Sequence, residues 1–170
     1  MTAKQKELIN GFLASLQPPD QGLYSQLVQA LDALGYGPRK ERGHLVFKHS
    51  CHNKQIAKLG LKKAGESQPF FALRFSACQE YSPRFQEVVR QEIARFSNPV
   101  AHCTQGMCSF CAGEPSSHVY HGLSPDGQEI GHCGSRALEI PNLRAEDLPE
   151  ICRMLEEEHA YLMAHEAKPA

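Results

Sequence analysis

Four cysteines in one stretch constrain this chain more than any other feature. Cys103, Cys108 and Cys111 form a Cys-x4-Cys-x2-Cys string, and Cys133 follows beyond a turn-rich segment. Two thiolates separated by two residues can chelate one ion from a tight turn, and Gly106 and Gly113 let the backbone fold around it. Cys133 would then complete a tetrahedral four-thiolate shell, the arrangement of closed structural Zn2+ sites. The region has few large apolar residues, so a metal would stand in for a missing core. Cys51, Cys78 and Cys152 bring the total to seven. An odd, clustered set fits metal binding in a reducing compartment better than a disulfide framework.

Three alternatives compete with zinc. The cysteines could be free thiols, or serve disulfide or redox chemistry. They could also hold iron. Cys103-Thr-Gln-Gly-Met-Cys108-Ser-Phe-Cys111-Ala-Gly113 resembles the cluster loop of plant-type [2Fe–2S] ferredoxins, including the mid-loop glycine. The surroundings do not follow that family: the last cysteine comes too soon, and the acidic balance of those carriers is missing. Zinc is therefore expected ahead of [2Fe–2S]. His102, His118, His121 and His132 lie near the cysteines and are possible substitute ligands. His118 and His121 could also form a second, open metal site, against the plainer expectation of half-exposed hairpin histidines. His132 and Cys133 would point to opposite faces of a strand, so both are not expected on one ion.

Apolar periodicity predicts an α+β fold. Leu8, Ile9, Phe12, Leu13 and Leu16 mark a helix over 3–17, ended by Pro18-Pro19. A second helix carries Tyr24, Leu27, Val28, Leu31 and Leu34, and Gly35 and Gly37 close it. Three strands follow, at 44–48, 55–61 and 69–77, the last alternating Phe71, Leu73 and Phe75 with Arg74 and Ser76. Ser82-Pro83 starts a third helix that runs to Asn98-Pro99. These elements make a first domain over 1–99. Residues 100–170 form a cysteine-rich module: a hairpin about Ser124-Pro-Asp-Gly127, a short strand at 137–140, and a helix over 145–165. The expectation is a three-stranded sheet with flanking helices, then a metal-clipped hairpin and a C-terminal helix packed back as one unit.

The net charge of −1 excludes a polycation, but the charge is uneven. Residues 39–63 hold eight Lys or Arg against one acid, Glu41. Lys48, His49, His52, Lys54, Lys58 and Arg74 are the candidate anion-binding set, for a phosphate-bearing ligand or a nucleic acid. The plainer reading is a solvated turn with lysine-guarded strand edges. His49, Cys51 and His52 also suggest a nucleophile and base, without an evident acidic orienter. Arg74 and Ser76 are expected on an exposed sheet face. His159, His165 and Glu156-Glu157-Glu158 are expected on a solvated helix surface. No P-loop, GxGxxG, GxSxG or HExxH motif is present. No apolar run approaches the ~18 residues of a membrane span. A signal-peptide pattern is also absent, which predicts a cytoplasmic protein.

Several strings together carry a family likeness. They are Phe47-Lys-His-Ser50 with His52-Asn-Lys54, Pro69-Phe-Phe-Ala-Leu-Arg-Phe-Ser-Ala77, Gly113-Glu-Pro115, Tyr120, Pro125-Asp-Gly127, Cys133-Gly134 and Ala137-Leu-Glu-Ile-Pro-Asn142. The combination resembles an uncharacterised family of bacterial cytoplasmic proteins with a cysteine-rich, zinc-ribbon-like C-terminal part. The likeness covers most of the chain from about 20 onward. It implies a bacterial origin and the cysteine module, and supplies no activity. The leading expectation is a zinc-stabilised binding module. The alternatives are an enzyme at the basic turn or hairpin histidines, and a [2Fe–2S] redox protein.

Overall fold

The computed structural model describes residues 1–62, 68–95, 118–123, 127 and 129–165. Helix α1 (Ala3–Ala14) opens on a capping box in which Thr2 and Gln5 each accept the other's backbone amide. The prolines that stop α1 also start α2 (Pro18–Ala33), since a missing N–H costs nothing in a helix's first turn. Gly35, at φ 82, turns the chain out of α2. Helix α3 (Pro83–Arg95) starts at the expected Ser82-Pro83 signal. A 3-10 turn at Ala145–Asp147 leads into α4 (Leu148–Ala164).

The main sheet has five antiparallel strands, not three. In chain order the strands are β1 (Tyr36–Glu41), β2 (His44–His49), β3 (Gln55–Leu61), β4 (Pro69–Leu73), β5 (Tyr120–Leu123), β6 (Glu129–His132) and β7 (Leu138–Glu139). They pair as β1-β2-β3-β4-β7, with β5-β6 a separate hairpin. The added strands sit at the two edges. β1 contains Gly37 and Pro38 and ends in charged residues, so its sequence hides a strand. Its pairing comes from the turn: Arg42 and Gly43 both have positive φ, 49 and 86, which matches the twist of a two-residue hairpin. Pro38 is tolerated because an edge strand has a side without a ladder partner. β4 stops at Leu73, earlier than expected, and the chain turns at Ser76–Ala77.

Opposed residues on neighbouring strands share a face. Leu45, Leu59 and Phe71 make one inward row; Phe47, Ala57, Leu73 and Leu138 make the next. These residues join Leu27 and Leu31 of α2, Phe85 and Val88 of α3, and Ile151 and Leu155 of α4 in one buried cluster. The other face carries the row Arg39, Val46, Lys58, Ala72 and Glu139.

The β5-β6 hairpin is present, whereas its metal clip is not displayed. Cys103, Cys108, Cys111 and His102 lie outside the described residues, as do Lys63 and the hairpin turn's Ser124, Pro125 and Asp126. Among the described residues, no group of three or more His, Cys, Asp or Glu is arranged to hold a metal ion. No helix among them is long and apolar enough to cross a membrane.

Candidate functional site

The start of β1, the end of β2, the start of β3 and the end of β4 all fall at one end of the sheet. Helix α4 crosses this end and delivers Glu158 and His159 to it. Tyr36 is fully buried there, with the rings of His49, His52 and His159 around it. His49 stacks on His52 with centroids 4.7 Å apart.

Backbone amides fix the ring tautomers. Nδ1 of His49 accepts the Cys51 amide at 3.2 Å, and Nδ1 of His52 accepts the Lys54 amide at 3.0 Å. An accepting nitrogen carries no proton, so each neutral ring holds its proton on Nε2. His52 Nε2 lies 3.4 Å from the Tyr36 hydroxyl and donates to it. The hydroxyl then donates to Nδ1 of His159, 3.2 Å away. The result is a directional chain from His52 through Tyr36 to His159. Burial, followed by repulsion of a His52 imidazolium by the protonated forms of His49 and His159 and by Arg74 and Lys54, pushes the pKa of His52 down to about 4. Burial and then His49 also lower that of His159. While the turn is closed, Nε2 of His49 and His52 is protonated and unsuited to metal ligation.

Beside this chain lies a buried ion pair. Arg74 Nε is 2.5 Å from Glu158 Oε1, and the two side chains are 2% and 0% exposed. The other Glu158 oxygen accepts the Ala77 amide at 2.8 Å. Burial pushes the Glu158 carboxyl above the ordinary carboxylate range, and Arg74 and the Ala77 amide draw it back. Arg74 and Ser76 were expected on an exposed sheet face; both are buried, because the chain leaves the sheet after Leu73 and meets α4. Glu158 and His159 were expected on a solvated helix surface and instead face inward, the first paired with Arg74 and the second with Tyr36.

The structure divides the candidate anion-binding set. His49, His52 and Arg74 meet at the sheet end, and Lys54 contributes its amide there. Lys48 and Lys58 project from the outer face, Lys48 paired with Glu41 at 2.7 Å and Lys58 over the Phe70 ring at 5.6 Å. The hairpin histidines are also separated. His118 is buried against the Tyr161 hydroxyl, with Nδ1 at 2.9 Å. His121 is exposed and lines a cavity with Tyr81 and Arg90. His132 is buried, and burial followed by Arg136 lowers its pKa.

Cys133 opens the turn into β7. The Arg136 amide donates to the Cys133 carbonyl at 3.2 Å. Ser76 donates its hydroxyl proton to the Gly134 carbonyl at 2.8 Å, and Tyr120 donates to the Arg136 carbonyl at 3.1 Å while accepting the Phe75 amide at 2.9 Å. A Cβ at Gly134 would stand 1.4 Å from the His118 carbonyl oxygen, so only glycine fits. Cys133 Sγ lies 3.0 Å from the Ser135 hydroxyl.

Sequence reasoning missed Tyr36, Glu158, His159 and Tyr161. One signal was available. Ile151, Leu155, Glu158 and Leu162 fall at i, i+4, i+7 and i+11, one face of a helix. A carboxylate on an apolar face calls for a buried cation, and Arg74 is that cation. Tyr36, between two glycines, offered no comparable mark. Compared with family models, curated proteins and solved structures, the chain matches none significantly.

Proposed function

We propose that this chain is a zinc-stabilised binding module, in which Cys103, Cys108, Cys111 and Cys133 hold one structural Zn2+ and clip the β5-β6 hairpin to the sheet. The observation that carries the reading is the seat of Cys133. Its neighbour Gly134 packs on the backbone of His118, where the chain returns from the cysteine-rich stretch. Cys111 is seven residues from that point, a reach of at most ~25 Å. The Ser135 hydroxyl beside Cys133 Sγ is the kind of outer partner that tunes a ligating sulfur. Four thiolates leave no open position, so the ion supports folding and not hydrolysis. In this reading the chain belongs with the bacterial family it resembles and works in the cytoplasm, where thiolates stay reduced.

Elemental analysis of protein purified without added metal tests the proposal. One zinc per chain is expected. Iron with acid-labile sulfide, or a folded metal-free protein, overturns it.

The His52–Tyr36–His159 chain favours a second reading, an enzyme that moves a proton at the sheet end. His159, half-buried and engaged with Tyr36 through Nδ1 alone, would be the group that meets a substrate, through Nε2.

A further inference from the structure

We propose that the cavity between the outer sheet face and the Cys133–Ala137 turn binds a small ligand carrying a phosphate group. This rests on the binding-module reading and gives that module a place and a ligand chemistry. The cavity measures about 460 Å³, within the ~300–1,000 Å³ usual for small-ligand sites. Arg42, Val46 and Lys58 form the sheet wall, while Ser135 and Arg136 form the turn wall.

Charge selects an anion. Glu41 borders the cavity, but Lys48 holds its carboxylate at 2.7 Å. Arg42, Lys58 and Arg136 line the cavity together with Glu92. Among the described residues, neither Arg42 nor Lys58 belongs to an ion pair. Arg42 and Lys58 suit the terminal oxygens of a phosphate monoester, with the Arg42 guanidinium fork to orient it.

The walls are built to hold their positions. Arg42 occupies a left-handed conformation, φ 49, at a turn position that ordinarily takes Asn, Asp or Gly. A long cationic side chain there is a strained choice, of the kind found where a side chain has a task. Lys58 is steered by the ring beneath it. Opposite, the turn bearing Arg136 is fixed through both the Gly134 and Arg136 carbonyls. A ligand arriving there meets a turn backbone and a Lys58 side chain already held, which lessens the entropy lost on binding. The concave shape and the burial of Phe70 argue against a single-stranded nucleic acid, which needs exposed rings for its bases.

Titration of the whole protein with inorganic phosphate, followed through backbone amide NMR shifts, tests the proposal. The expected result is saturable binding with shifts at Arg42, Lys58, Ser135 and Arg136. Arg42→Gln and Lys58→Gln should each weaken it about tenfold or more, with the unfolding temperature of Lys58→Gln lowered only by the small loss of its contact with the Phe70 ring. A labelled single-stranded oligonucleotide is the second probe. Shifts that never saturate, variants that bind as the parent does, or affinity that grows with oligonucleotide length and bypasses these residues would each overturn the proposal. Metal content separates it from the zinc reading. A metal-free, folded protein that binds phosphate sinks zinc and keeps the cavity; a zinc-loaded protein that ignores phosphate does the reverse.

Discussion

The β2-β3 turn at the sheet end and the Cys133 turn both carry polar groups, and their groups are held in opposite ways. At the sheet end, His49 and His52 each accept an amide two residues further along, so their orientation is local. Around Cys133 the groups that hold the turn come from far away: Ser76 is 58 residues from Gly134, and Phe75 is 45 from Tyr120. A locally held ring keeps its tautomer as long as its own turn is closed. A turn held from a distance keeps its shape only while the surrounding elements stay packed. Perturbations should therefore separate the two regions.

The largest effect is expected where α4 is pinned across the sheet end. Replacing one member of a buried ion pair strands the other, at about 3–5 kcal/mol. Arg74→Met should lower stability by that amount in denaturant unfolding. The double variant Arg74→Met/Glu158→Leu should recover much of the loss, because the stranded charge is gone. If the double variant is no better than the single one, the pair is not what pins the helix.

Tyr120→Phe comes next. It removes one hydroxyl and leaves the Phe75 amide and the Arg136 carbonyl without their partner, a loss of about 1–3 kcal/mol. Faster hydrogen exchange should appear at Phe75 and around Arg136, and leave Cys51 and Lys54 as they were. Equal acceleration in both regions would mean that the two clusters are one cooperative unit.

The smallest effect, and the one that sharpens the contrast most, is titration. Protonation of His52 places a hydrogen on Nδ1, where the Lys54 amide now donates. The folded pKa of about 4 lies below the ordinary 6.5. The unfolded chain therefore takes up this proton first as pH falls. The stabilisation from neutral His52 is complete above pH 6.5 and is lost as pH falls through 4. Amide exchange at Lys54, corrected for its intrinsic pH dependence, should speed up in that window, and more than at Arg136. An unaltered Lys54 amide across the window would show that the turn does not depend on the neutral ring.

Legibility from sequence followed the same division. The 3.6-residue pattern of α2 and the Ser82-Pro83 start of α3 were plain, because helix signals are written in neighbouring residues. β4's alternation was equally plain up to Leu73. β1 was not, because Tyr36-Gly-Pro-Arg-Lys-Glu41 has little strand preference and acquires its pairing from β2. His49 and His52 were marked as an unusual string, yet their partners Tyr36 and His159 come from other elements. The acidic run on α4 misled because its composition outweighed its phase: Glu158 shares a face with Leu155 and Leu162, while Glu156 and Arg153 are exposed. Cys103, Cys108 and Cys111 lie outside the described residues, and their spacing with Cys133 names possible ligands but not their arrangement.

The hydrogen bond between Tyr36 and His159 joins residues 123 positions apart. During synthesis, the first four strands leave the ribosome long before the helix that completes the cluster at their end. Until α4 is available, Arg74 has no carboxylate and the Tyr36 hydroxyl has no His159 acceptor. The buried end of the sheet is then a polar surface open to water. Contacts of such sequence separation form late, because the intervening chain must be closed into a loop before they give any return. The last helix thus acts as a completion signal: a chain cut before it contains the residues of all seven strands but has neither the buried ion pair nor the tyrosine bridge.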